Sequence, residues 1–140
     1  MSNPFFSIAI PTRNRQELLA DLVRSLLAQS YKNFEIIICD NSTDNETQEV
    51  LSHFEDDRIT NIRTGNLKMA DNWNAATERA SGDYLLLISD KAVLKQGSLN
   101  FLYELIQEKK YDCITWDFDQ YIDLENRYIF GSADDDVFFC

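Results

Sequence analysis

The chain has 140 residues, 44% of them apolar and 12% aromatic, enough for one domain with a real core, which excludes a disordered segment. Thirteen Lys and Arg stand against 24 Asp and Glu, giving a formal net charge of −11 and a pI near 4.4. That balance excludes nucleic-acid wrapping and docking on an anionic membrane, which both need basic surface, and no apolar run approaches the roughly 20 residues of a transmembrane segment.

In chain order, Phe5–Ile10 is a short apolar run closed by Pro11 and predicts a strand ending at the proline. Leu18, Leu19, Leu22, Val23, Leu26 and Leu27 form the stripe of an amphipathic helix, with Asn14 as N-cap and Glu17 as its capping partner. Phe34–Cys39 predicts a second strand whose unbroken isoleucines suit burial on both faces. The polar stretch Asp40–Thr47 leads into a helix carrying Val50, Leu51 and Phe54, and Ile59–Ile62 predicts a short third strand. Met69–Ala80 predicts a helix with Met69, Trp73, Ala76 and Ala80 along one side and Ser81-Gly82 as its stop. Tyr84–Ile88 reads as a buried strand, Ser98 as the cap of a helix carrying Leu99, Leu102, Tyr103 and Ile106, and Asp112–Trp116 as another strand.

Strand and helix alternating in this way predict an α/β fold: a mostly parallel, Rossmann-like sheet covered by helices on both faces. The regular alternation covers residues 5–117; beyond it, Phe118–Phe130 predicts one or two antiparallel strands, while Ser132–Cys140 has no evident partner. One domain, 1–140, is expected, incomplete on its C-terminal side, with the apolar Val137–Cys140 leading into a buried continuation. The start carries no basic stretch followed by a long apolar run, so no signal peptide is expected. Cys39, Cys113 and Cys140 form neither a CxxC pair nor a disulfide framework, which points to a reducing, cytoplasmic compartment. Should Cys113 or the final apolar residues be exposed, self-association through an open sheet edge is expected.

The polar clusters all follow predicted strands: Pro11–Arg15 (PTRNR), Asp40–Thr47 (DNSTDNET) and Ser89–Leu99 (SDKAVLKQGSL). Right-handed crossovers bring loops of this kind to one edge of a parallel sheet, where such folds bind ligands. Helix N-caps also favour Asp and Asn, so one cluster alone has an ordinary explanation; three in the same topological place point to a site. None of Gly65, Gly82, Gly97 and Gly131 follows the first strand, so no GxGxxG dinucleotide fingerprint exists. No GKS or GKT follows a strand, and the first strand ends in Pro11-Thr12 instead of the acidic pair of a phosphotransfer receiver. His53 is the lone histidine and lies on a helix away from the strand ends, which excludes Ser-His-Asp chemistry and a histidine-rich metal site.

The ordered set SIAIPTRNR, FEIIICDNSTDNET and MADNWNAATERASGDYLLLISDKAVL resembles the N-terminal, nucleotide-binding half of family 2 glycosyltransferases, which have the GT-A fold, across residues 5–106. The resemblance implies a domain that binds a nucleotide-diphosphate sugar for inverting transfer to a hydroxyl of a saccharide or lipid-linked acceptor, in bacterial surface-polysaccharide assembly. Carried over by position, it implies that Pro11 and Thr12 line the base and ribose pocket with Arg13 and Asn14 beside them. Asp40 matches the aspartate that accepts a pyrimidine N–H, hence a UDP or dTDP donor, with Asn41 assisting. Asn72 and Asn74 fall where the family contacts the nucleotide, while Trp73 between them reads as helix packing. Asp44 sits in a loop that matches the family in more than one register.

The sequence departs from the family at the metal motif. A diphosphate leaving group calls for Mg2+ or Mn2+ held by carboxylates, and Asp90 matches the first of them, but Lys91 and Ala92 follow it. Lys91 either supplies positive charge to the diphosphate itself, or points to solvent, or marks a site that has lost activity. The resemblance also implies further chain for the acceptor site and the general base, which is expected beyond Cys140. Asp134–Asp136 follow no strand or helix frame and read as a solvated acidic stretch. Two readings stand: a glycosyltransferase half-domain, weak or inactive alone, and a non-catalytic nucleotide-binding or protein-interaction module on the same fold.

Overall fold

Runs of Ile, Phe and Leu pair into a parallel sheet because each buries apolar side chains on a pleated surface. β1 (Phe6–Thr12), β2 (Phe34–Asp40), β3 (Ile59–Arg63) and β4 (Tyr84–Leu87) line up in the order β3-β2-β1-β4, every pair parallel. The helices α1 (Gln16–Leu27), α2 (Glu46–Leu51), α3 (Met69–Thr77) and α4 (Ser98–Glu108) alternate with them. This is the expected α/β class, a parallel sheet flanked by helices. The computed structural model describes residues 3–109 and 111–115, and the backbone of 116, 120–122, 128–130 and 137–139.

The chain divides into two compact units, Met1–Asp21 with Lys32–Asp90, and Leu22–Tyr31 with Lys91–Cys140. In the first, every residue of β1 and all of β2 except Glu35 are buried, so both faces of these strands are covered. Phe6, Ile8, Ile10, Phe34, Ile36 and Ile38 form the sheet's share of the core. Small residues on the sheet, Ala9 and Cys39, pack with Ala76 and admit α3 close to the strands. Burial pushes the Cys39 thiol up, a charge effect from Arg79 opposing it, so Cys39 is inert packing.

In the second unit the fully buried Gln29 ties its neighbours together. Its Nε2 donates to the carbonyls of Ser25 (3.1 Å) and Lys95 (2.8 Å), and its Oε1 accepts the Leu99 N–H (3.3 Å) in the first turn of α4. Leu22, Val23, Leu26, Leu99, Leu102 and Ile106 are buried, and Tyr31 stacks obliquely on Tyr103 at 5.5 Å. β5 (Ile114–Trp116) pairs antiparallel with β8 (Val137–Phe139), and β6 (Gln120–Ile122) with β7 (Tyr128–Phe130). The antiparallel pair expected within Phe118–Phe130 is therefore present. The chain end expected to lack a partner has one, and β5 pairs with it instead of extending the parallel sheet.

Several local expectations are corrected. β1 continues through Pro11 to Thr12. The Ala9 carbonyl accepts the Ile88 N–H on the β4 side and the Thr12 carbonyl accepts the Asn41 N–H on the β2 side. By alternation the Pro11 nitrogen faces the β4 side, beyond the last β1–β4 pair at Ala9 and Leu87, so it forfeits no ladder bond. α1 starts at Gln16, with the Arg15 carbonyl accepting the Leu19 N–H, so Arg15 and not Asn14 is its cap residue. α3 stops at Thr77 and buries Asn72 and Ala76, whereas Met69 is 75% exposed. β4 is half-buried: Leu85 (48%) and Leu87 (40%) are exposed on one face. α4 is preceded by Gly97 in the left-handed region (φ 85), and Ser98 Oγ donates backward to the Lys95 carbonyl instead of capping.

Two features of the first unit carry predictions. Gly82 precedes β4 where a Cβ would lie 2.5 Å from the Phe5 carbonyl oxygen and 2.7 Å from the Ser7 nitrogen, both backbone. Gly82→Ala must push the start of β1 away, and a loss of about 1–3 kcal/mol is expected in denaturant unfolding. Arg58 grips Asp56 through Nε (2.9 Å) and Nη2 (2.7 Å) and lies over the Phe34 ring at 4.3 Å. Those hydrogen bonds, outweighing burial, hold the Asp56 carboxyl at about 2, below its ordinary 3.8. A depressed folded-state value means the contribution is complete above the ordinary value and is lost as pH falls through the folded one. The difference in urea midpoint between the parent protein and Asp56→Asn should be constant at neutral pH and shrink as pH falls through 2; the pair is only partly buried, so screening by water should keep it modest.

Candidate functional site

Parallel pairing brings the C-terminal ends of the strands to one edge, and the sheet order places there, in sequence, Arg63 at the end of β3, Asp40 at the end of β2, Thr12 at the end of β1, and Asp90 after β4. From β1 the chain builds outward through β2 and β3, then returns to β1's other side with β4. The order therefore reverses between β1 and β4, the position where open α/β sheets bind ligands.

Asp40 is fully buried. Its Oδ1 accepts the Ser42 N–H at 2.8 Å, which fixes the carboxylate. Its Oδ2 is buried with no hydrogen-bond partner among the described residues, and the nearest cation is Arg63 Nη1 at 3.9 Å. Arg63 in turn clasps the following loop, Nη2 donating to the Ser42 carbonyl (3.1 Å) and Nη1 to Asn45 Oδ1 (3.1 Å).

Asn14 holds the same loop from the other side. It has the one positive φ among described non-glycine residues (52°), a region asparagine tolerates. Its N–H donates to Ser42 Oγ (2.8 Å), and its Oδ1 accepts the Thr43 N–H (2.9 Å). Asn41 and Asn72 lock β2 to the β3–α3 segment. Asn41 Nδ2 donates to the Leu67 carbonyl (2.7 Å), Asn72 Nδ2 to the Cys39 carbonyl (2.8 Å) and Asn41 Oδ1 (3.3 Å), and Asn72 Oδ1 accepts the Thr64 hydroxyl.

Asp90 is 1% exposed, and its carboxylate is occupied: Thr12 Oγ1 donates to Oδ2 at 2.8 Å, and Arg15 Nη1 lies 3.0 Å from Oδ1 and 3.4 Å from Oδ2. Mg2+ would need an oxygen at about 2.1 Å and an open face for waters and phosphate. At Asp90 that face holds a guanidinium, and no group of three or more His, Cys, Asp or Glu that could hold a metal exists among the described residues. As arranged here, the Asp90 oxygens are taken by Thr12 and Arg15, which does not fit a divalent ion held at this carboxylate.

Of the residues singled out in the sequence, Pro11, Thr12, Asn14, Asp40, Asn41, Asn72 and Asp90 gather at this edge. Arg13 is exposed on the same loop. Asn74 is exposed on α3, its carbonyl accepting the Glu78 N–H and the Thr77 hydroxyl. Lys91, exposed, follows Asp90 in the chain and belongs to the second unit. Arg15 and Arg63 were missed. A basic residue after a strand was the available signal for both, but their partners lie 75 and 23 positions away in sequence.

An acceptor oxygen at one strand end and a guanidinium two strands along, roughly 10 Å apart by strand spacing, suit a ligand carrying an N–H edge at one end and an anionic group at the other. The family model described as Glycosyl transferase family 2 matches residues 7–135. A GalNAc(5)-diNAcBac-PP-undecaprenol beta-1,3-glucosyltransferase of Campylobacter jejuni is 32% identical over 109 residues, covering 75% of this chain and 35% of that protein. Glycosyltransferase GlyG of Streptococcus pneumoniae is 26% identical over 137 residues, 96% of this chain and 45% of that protein. Among solved structures, S. aureus TarS 1-349 in complex with UDP-GlcNAc superposes with a TM-score of 0.68 at 22% identity, over 79% of this chain and 33% of that one. Mannosyltransferase PcManGT from Pyrobaculum calidifontis, in complex with GDP-Man and Mn2+, gives a TM-score of 0.68 at 18% identity, over 79% and 34%. The chain spans less than half the length of these relatives.

Proposed function

The chain belongs to glycosyltransferase family 2, and on that premise we propose that its strand-end site binds the nucleotide of a nucleotide-diphosphate sugar of the UDP or dTDP type. The observation that carries this reading is Asp40 Oδ2, a buried carboxylate oxygen with no hydrogen-bond partner among the described residues, aligned by Ser42. A fixed acceptor of this kind reads the N–H edge of uracil or thymine, and leaving it unpaired is costly enough to favour a ligand that satisfies it. Pro11, Thr12 and Asn14 shape the adjoining wall, with Arg13 at its rim, and Asn41 and Asn72 hold the floor.

The donor sugar then leaves toward a hydroxyl acceptor, a lipid-linked saccharide by analogy with the undecaprenol-linked substrate in the name of the C. jejuni relative, with inversion at the sugar carbon. The occupied Asp90 favours a second reading, a non-catalytic nucleotide-binding module on the same fold, and a turnover assay with a UDP-sugar separates the two.

Calorimetric titration with UDP, UDP-glucose and dTDP-glucose tests the donor site, each in manganese and in EDTA. Saturable binding of at least one is expected. A folded sample that binds none of them overturns the reading.

A further inference from the structure

We propose that Arg15, held in place by Asp90 and Thr12, supplies the positive charge that binds the donor's diphosphate, so that nucleotide binding by this chain needs no divalent cation. The inference rests on the nucleotide-sugar reading above and adds to it the group that meets the phosphates.

Three observations carry it. The acidic position expected to hold a metal is almost completely buried, and its oxygens take a hydroxyl and a guanidinium. A cation bound to Asp90 would lie beside Arg15 Nη1, 3.0 Å from Oδ1, and like charges at that separation repel strongly where water is scarce. Arg15 is also only partly consumed by this pairing. One terminal nitrogen contacts Asp90, while the side chain remains 44% exposed, so much of its fork of donors faces outward. Guanidinium stays charged at all working pH values and matches phosphate oxygens two at a time.

Position supplies the third. Arg15 leaves β1 three residues after Thr12 and meets Asp90 beyond β4, so the pair sits where the strand order reverses. Asp40 stands at the end of the neighbouring β2, in register with Thr12. A nucleotide whose base pairs with Asp40 and runs across the strand ends brings its phosphates toward Arg15. Asp90 is then a positioning residue: it aims the guanidinium, and Thr12 keeps the carboxylate from turning.

The experiment compares UDP with uridine, by calorimetry in EDTA and in excess manganese, for the parent protein and for Arg15→Gln, Arg15→Lys and Asp90→Asn. In the parent, UDP should bind more tightly than uridine in EDTA, and manganese should add little. Arg15→Gln should weaken UDP by about ten- to a hundredfold and leave uridine unchanged, the loss expected for a charge-assisted contact. Arg15→Lys should recover part of the difference, and Asp90→Asn should reduce the UDP-to-uridine ratio without altering uridine binding. Arg15 is 44% exposed and its partner Asp90 is buried, so unchanged uridine affinity serves as the direct report that each variant is folded. UDP binding that disappears in EDTA, or a UDP-to-uridine ratio indifferent to Arg15→Gln, overturns the proposal while leaving the base site intact. A parent protein that binds neither uridine nor UDP overturns the donor-site reading itself, and this inference with it.

Discussion

Asp40→Asn is expected to weaken UDP binding by about a hundredfold while barely moving the unfolding midpoint. The size of the effect follows from how Asp40 is held. Its Oδ1 accepts the Ser42 N–H at 2.8 Å, so an asparagine side chain must keep its carbonyl oxygen there and place its NH2 group where Oδ2 now lies. Among the described residues Oδ2 has no hydrogen-bond partner to lose, only the 3.9 Å ion pair with Arg63, which is why stability should change little. A uracil N–H arriving at the site would then meet a donor instead of an acceptor, with a charged hydrogen bond lost and two donors opposed in a closed space. Cytosine presents an acceptor at that edge, so CDP should lose less than UDP and the preference between them should narrow or invert. Titration of both nucleotides against both proteins gives the result, and equal affinity of UDP for the two would show that Asp40 does not read the base.

The strands were legible because their signal is local. Ile36, Ile37 and Ile38 in a row belong to a strand covered on both faces, and they are buried on both faces of β2. The sequence also indicated which loops share an edge, since that follows from parallel pairing alone. Side-chain partnerships did not follow from any local pattern. Arg15 and Asp90 are 75 residues apart, and only the placement of β4 beside β1 makes them neighbours. Without that pairing, Asp90 reads as an acid awaiting a metal, and Lys91 as one candidate for a charge that would replace it. Periodicity failed on α3 for a related reason. Met69 carries apolar surface yet is exposed, while Asn72 is buried, because the sheet end it covers offers bare carbonyls that an amide can satisfy and a thioether cannot. Pro11 misled through a rule about strand interiors that does not hold where the neighbouring strand has already ended.

That amide supports the second large effect. Asn72→Ala should cost about 2–4 kcal/mol of stability, far more than a surface substitution on a short helix. The side chain satisfies three groups at once: the Cys39 carbonyl at the end of β2, the Asn41 amide oxygen, and the Thr64 hydroxyl. Truncation leaves the first without this donor at a buried position and opens a void beneath α3, so the penalties of desolvation and lost packing combine. Two companions separate this from a generic core defect. Thr64→Val removes one of the three bonds and should cost about 1 kcal/mol. Asn72→Asp keeps the volume and still accepts from Thr64, but turns an acceptor toward the Cys39 and Asn41 oxygens, so it should destabilise at least as much as alanine despite filling the space. Urea unfolding of the three variants at neutral pH gives the order. Were Asn72 retained only to touch a nucleotide, its removal would alter titrations with UDP and leave the midpoint in place; here the midpoint should move first, and UDP affinity should follow only as Asn41, and with it the segment after Asp40, loses its anchor.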